Sequence, residues 1–214
     1  IIGGECNMWS ERAPQNTIDS KVFPRLLAMS EVLWAAPEHK NYNNFYDRVQ
    51  THYKRLDNLG VDYGLETIPV QFNSDYIDGV FNITLNKGTK DLNLFYQVND
   101  GDLNQYNSTF SLSGTSHIKA IAIKNDKPYG EPFEIDLYQH KGLDAKVTGL
   151  NEYYEGYAGG GDRCIVDGLR GSSNFRDGRW QGYSGTDFEA TMSFNTIQQI
   201  DSVICSFYQY NLSW

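Results

Sequence analysis

The period of the hydrophobic pattern changes along this chain at Tyr63-Gly64, from helical spacing to apolar-polar alternation. On the N-terminal side Val22, Leu26, Met29 and Leu33 recur at helical spacing, predicting a helix from Ser20 to Trp34. Pro24 then falls in the first turn, where a missing N–H leaves no bond unmade. A second helix is predicted from about Asn43 to Leu59, with Phe45, Val49, Tyr53, Leu56 and Leu59 on one face. Gly60 follows at the position where a left-handed residue closes a helix. On the C-terminal side the pattern alternates: Val80–Leu85, Leu92–Val98, Phe110–Leu112 and Ile118–Ile123 read as strands. Asn86-Lys87-Gly88, Asn99-Asp100-Gly101, Ser113-Gly114 and Asn125-Asp126 supply the turns between or after them. This strand-turn-strand spacing predicts a small antiparallel β-sandwich.

A third segment begins near Leu143. Gly159-Gly160-Gly161 is a loop, since a phosphate cradle would need a lysine and a following helix. Strands are predicted over 187–194 and 200–208, and no internal repeat is visible. The chain therefore divides into residues 1–64, 65–140 and 141–214. It begins with Ile1 and carries no recognisable signal peptide, so it reads as a piece of a longer protein.

A formal charge of −9 makes nucleic acid and anionic membrane poor partners. No apolar run approaches the roughly 20 residues of a membrane span. The three cysteines, Cys6, Cys164 and Cys205, lack metal-ligand spacing and form no disulfide framework. Cys164 and Cys205 are left with two readings, a bridge or separate buried fillers. Aromatic residues make up 14% of the chain, 15 of them Tyr, which suits both sugar surfaces and sheet packing.

The segment Glu5-Cys6-Asn7-Met8-Trp9-Ser10-Glu11 follows an apolar strand ending, Ile1-Ile2, and precedes a helix. In a β/α barrel that place is the C-terminal mouth of a strand, where ligand-contacting residues belong. An indole face can stack on the C–H face of a pyranose, and a carboxylate accepts strong hydrogen bonds from hydroxyls. The competing reading makes Trp9 a core anchor and Glu11 a charge complementing a helix N-terminus.

These residues, with Ile18-Asp19-Ser20-Lys21-Val22-Phe23-Pro24-Arg25-Leu26 and Ser30-Glu31-Val32-Leu33-Trp34, resemble the end of the barrel of family 20 β-N-acetylhexosaminidases. The resemblance covers about residues 1–64; Cys6 departs from the small residue often found there. It implies that Trp9 forms part of the aromatic wall around the terminal sugar and that Glu11 binds its outer hydroxyls. It also implies a substrate-assisted retaining mechanism, in which a general-acid Glu protonates the leaving oxygen and a preceding Asp orients the attacking 2-acetamido group. No motif matching that Asp-Glu pair occurs in the chain, so the expectation is no catalytic residue here and no hydrolysis by these 214 residues alone.

Residues 65–140 resemble the small β-sandwich that follows the barrel in some bacterial members. Within residues 141–214, Ile165-Val166-Asp167-Gly168-Leu169-Arg170-Gly171, Gly178-Arg179-Trp180-Gln181-Gly182-Tyr183 and Asp187-Phe188-Glu189-Ala190 resemble the first part of a discoidin-like carbohydrate-binding domain. That resemblance implies a structural calcium at Asp167, with further ligands partly beyond Trp214; the residues alone describe an Asp-Gly turn. Trp180 reads as a core anchor rather than a sugar platform, and His117 and His140 as surface residues rather than ligands.

The expectation is thus a multi-domain fragment, the end of a TIM (β/α)8 barrel, mainly two helices, followed by β-sandwich domains. Its parent would cleave glycans bearing terminal N-acetylhexosamine, without a catalytic cofactor, at a periplasmic or extracellular address. The alternative is a non-catalytic carbohydrate-binding or adhesion module.

Overall fold

The computed structural model describes residues 3–9 and 13–209. The chain forms two compact units, residues 1–69 and 70–214. The strand expected at Ile1-Ile2 lies outside the described residues.

The first unit is helical. The predicted first helix is broken into α1 (Ile18–Val22) and α2 (Arg25–Trp34). Phe23 between them is extended, at φ −100° and ψ 138°, and Pro24 caps α2. The proline ring crowds the residue before it out of the helical region, so the apolar period continues across a backbone that cannot. Leu27, rather than the expected Leu26, packs into the cluster of this unit.

Helix α3 (Tyr42–Asn58) matches the prediction within a residue. Asn41 caps it, its side-chain oxygen accepting the Asn44 N–H at 3.0 Å. Val49, Tyr53 and Leu56 are buried as expected, whereas Leu59 is exposed. The cap explains the difference. Gly60 adopts φ +69°, its N–H reaches the Asp57 carbonyl at 3.1 Å, and the Val61 N–H reaches the Leu56 carbonyl at 3.0 Å. This closure folds Val61 back toward Leu56 and leaves Leu59 outside. Tyr63 then stacks on Tyr53 at 4.4 Å between ring centres. Burial, with the Asp57 carboxylate beside it, pushes the Tyr63 phenol up to about 12.

The second unit is rich in sheet. Strands β1 (Val70–Ile77), β2 (Val80–Lys87), β3 (Asn93–Val98), β4 (Asn104–Gln105), β5 (Phe110–Leu112), β6 (Ser116–Lys124), β7 (Lys127–Pro128) and β8 (Phe133–Leu137) follow in chain order. One sheet runs β1-β2-β5; the other runs β4-β3-β6-β7, with β8 also on β6, and all pairs are antiparallel. Asp78-Gly79, both at positive φ, join β1 to β2. Asn125-Asp126 do the same between β6 and β7, as two-residue hairpins twisted to match their strands require. Alternate residues of both sheets share one core: Val70, Phe81, Ile83, Leu85, Leu94, Ile118, Ala120, Ile135 and Leu137. β1 and β8, with the two-residue strands β4 and β7, extend the set of strands identified from the alternation.

Beyond β8 the chain becomes mostly irregular, yet it belongs to the same unit. Leu143 is buried in the core of the two sheets and Leu169 packs against it. The Tyr138 N–H donates to the Gly168 carbonyl at 2.8 Å, stitching β8 to this segment. Among the described residues of this segment, β9 (Lys146–Thr148) and β10 (Thr191–Ser193) form a ladder, and Ala158 and Gln181 form a single antiparallel bridge. The strand predicted over 187–194 therefore shrinks to three residues, and that over 200–208 has no ladder among the described residues. Alternation marks a face, but a strand exists only where another backbone satisfies its N–H and C=O groups. Val203, Ile204 and Phe207 are exposed accordingly.

Candidate functional site

The loop of residues 3–9 lies on α2. A Cβ built on Gly4 would stand 2.8 Å from Met29 Cε and 3.0 Å from Leu33 Cδ2, so only a bare backbone fits without displacing them. Met29 and Leu33 are one helical turn apart on the same side of α2. The loop leads to Trp9, whose side chain is 79% exposed, with Met8 also exposed. Among the described residues the indole is not buried. Cys6 in the same loop is an exposed free thiol. Glu11 lies outside the described residues.

Behind the loop, α2 is tied to α3. The two terminal Arg48 nitrogens donate to Glu31, Nη2 at 2.6 Å to Oε1 and Nη1 at 3.0 Å to Oε2, and Arg48 Nε donates to Asn44 Oδ1 at 2.9 Å. The guanidinium holds the Glu31 carboxyl below its usual range.

Asp167 serves a turn. Its Oδ1 accepts the Leu169 N–H at 2.8 Å and Gly168 takes φ +80°. Burial pushes its carboxyl up to about 6, against the pull of that N–H and of Arg179 and Arg163. Two guanidinium groups repel a cation, calcium needs six or more oxygen ligands, and no group of three or more His, Cys, Asp or Glu converges among the described residues. The described residues do not fit a calcium cage at Asp167. Cys164 and Cys205 are both free thiols, so the bridge between them is not formed. His117 Nδ1 meets Asp136 Oδ1 at 2.7 Å on the exposed side of β6 and β8. His140 Nδ1 accepts the Gly142 N–H at 3.1 Å. Burial, then the Arg170 charge, lower the pKa of that imidazole.

A feature not singled out from sequence is an aromatic cleft of about 470 Å³ in the segment after β9, lined by Tyr154, Tyr157, Phe175, Arg176 and Trp180. The Trp180 indole N–H donates to the Ser172 carbonyl at 2.9 Å, fixing the ring. Gly171 must lack a side chain, since a Cβ there would lie 2.2 Å from the indole. Gly159–Gly161, next to Tyr157 in sequence, read only as a loop; Tyr154 carried no signal, and Phe175 comes from a different stretch of chain.

The catalytic domain of glycosyl hydrolase family 20 matches residues 1–37. This stretch is the Trp9 loop with α1 and α2. The chitooligosaccharidolytic beta-N-acetylglucosaminidase of Ostrinia furnacalis is 43% identical over 37 residues, 17% of this chain and 6% of that protein. The beta-N-acetylhexosaminidase of Cellulomonas fimi is 34% identical over 61 residues, 28% of this chain and 12% of that protein. The beta-hexosaminidase of Porphyromonas gingivalis is 31% identical over 80 residues, 36% of this chain and 10% of that protein. The chain thus spans about a tenth of the length of these relatives. No helix among the described residues is long and apolar enough to cross a membrane.

Proposed function

We propose that this chain is the C-terminal portion of an exo-acting β-N-acetylhexosaminidase that removes terminal β-linked N-acetylhexosamine from glycans. The observation that carries the reading is the match of residues 1–37 to the family 20 catalytic domain. It is supported by hexosaminidases similar to the same part of the chain. In this reading the loop of residues 3–9 is the mouth of a barrel strand. Trp9 covers the apolar face of the terminal sugar, and Glu11 accepts hydrogen bonds from its outer hydroxyls. The chemistry is substrate-assisted: the 2-acetamido oxygen of the sugar attacks the anomeric carbon as an acid Glu protonates the leaving oxygen. That Glu and its partner Asp belong to another segment of the parent, so this chain binds and orients but transfers no proton. Residues 65–140 are read as a small β-sandwich and 141–214 as the start of a discoidin-like module, at a periplasmic or extracellular address.

The test is kinetic. In the parent enzyme Trp9→Ala removes an aromatic contact worth about 2 kcal/mol, which lowers kcat/KM roughly thirtyfold. The isolated chain releases no chromophore from a 4-nitrophenyl N-acetylglucosaminide. Full turnover by the Trp9→Ala enzyme, or release by the isolated chain, would contradict the reading.

The aromatic cleft supports a second reading, a non-catalytic glycan-binding module. Under it, Trp9→Ala is silent, and truncating Tyr154 or Tyr157 abolishes glycan retention.

A further inference from the structure

We infer that the position of the Trp9 indole is set from α3 through α2, with Arg48 and Glu31 as its positioning residues. The functional consequence rests on the reading of Trp9 as a sugar contact; the mechanical claim does not. Leu27 of α2 packs on the apolar cluster of the unit, but the helix contains no fully buried residue, so burial alone holds it weakly. Two further grips add to that contact. Glu31 receives the Arg48 fork, and a bidentate pair fixes direction as well as distance. Arg48 is in turn steadied by Asn44, one turn earlier on α3. Met29 and Leu33 each lie two residues from Glu31, about 200° around the helix, and these are the side chains against which Gly4 rests. The two grips therefore act on opposite sides of α2. A rotation or slide of α2 that the fork prevents would be passed to Gly4 and from there to Trp9, five residues on. A displacement of about 1 Å at a contacting group can cost up to a hundredfold.

The experiment uses this chain with 5-fluorotryptophan incorporated and the Trp9 fluorine resonance assigned by its loss in Trp9→Phe. Arg48→Lys keeps the charge and loses the fork; Gly4→Ala presses on Met29 and Leu33 directly. Both are expected to shift the Trp9 resonance, and adding Met29→Ala and Leu33→Ala to Gly4→Ala, which removes both contacts, should bring it back. Asn41→Ala removes the α3 cap and lowers the stability of the same unit, but leaves the fork in place, so its Trp9 resonance stays where it is. An unmoved Trp9 resonance in Arg48→Lys, alongside a lowered Tm, would make the fork merely structural and overturn the inference. Titration with N-acetylglucosamine separates the two claims. No sugar-induced shift of Trp9 in the unsubstituted parent enzyme, labelled in the same way, sinks the sugar reading while the positioning result stands. Where the shift occurs, Arg48→Lys should weaken the apparent Kd about tenfold, and an unchanged Kd would overturn the functional consequence.

Discussion

Gly168→Ala tests whether the segment after β8 is built into the core of the two sheets. Gly168 sits at φ +80°, and a Cβ there would lie 2.9 Å from Phe81 Cζ and 2.9 Å from the Tyr138 carbonyl oxygen. Neither neighbour can yield cheaply. Phe81 is fully buried, and Tyr138 belongs to the residue pair joined to Gly168 by a backbone hydrogen bond. The left-handed backbone costs an alanine about 1–2 kcal/mol, and overpacking adds about 1–3 kcal/mol. The expected loss is about 2–5 kcal/mol, the sum of those two contributions. Gly79 provides the control, because it has nearly the same dihedral, φ +82°, and nothing within 4 Å of its Cβ position. Gly79→Ala should lose only the backbone contribution. Urea unfolding followed by far-ultraviolet circular dichroism gives both free energies from the shift in midpoint at constant slope. The difference between the variants isolates the contact. If Gly168→Ala costs no more than Gly79→Ala, to within about 0.5 kcal/mol, Gly168 does not press on Phe81 and the packing of this segment on the sheets is wrong.

Two further outcomes follow from half-buried ionisable groups. Asp167 titrates near 6 in the folded chain against an ordinary 3.8. The folded state therefore binds more protons than the unfolded one between those values, and stability falls as pH rises through that window. Asp167→Asn keeps an oxygen for the Leu169 N–H and removes the charge; it should flatten the slope of stability against pH between about 4 and 6 and raise stability at neutral pH. An unchanged slope in urea titrations would refute the assignment. Burial pushes the Cys164 thiol up to about 12, whereas Cys6 and Cys205 are exposed. Iodoacetamide at pH 8 should label the latter two in the folded chain and Cys164 only in denaturant, since the thiolate is the nucleophile. Peptide mass mapping reads the result, and labelling of Cys164 at the rate of Cys205 would contradict it.

What the sequence determined by itself is local chemistry and period. The span of α3, its glycine closure, the hairpin at Asn125-Asp126 and the alternating core faces of β2, β3 and β6 all follow from residue type and spacing over a few positions. The ordered motifs around Trp9 carried the family resemblance in the same way, and residues 1–37 match that family. Tertiary structure decided everything that depends on a partner distant in sequence. The apolar run through α1 and α2 continues smoothly in sequence, yet Pro24 divides it. The alternation over 187–208 yields only β10, because a ladder requires a second backbone that a pattern cannot specify. Asp167 reads as a metal ligand or a turn until Arg163 and Arg179 arrive beside it from either side of the sequence. The Arg48–Glu31 fork and the Gly4 contact are likewise invisible in the string of residues. Periodicity records which side of an element is apolar; only the folded chain determines what that side meets, and a contact's energy depends on both partners.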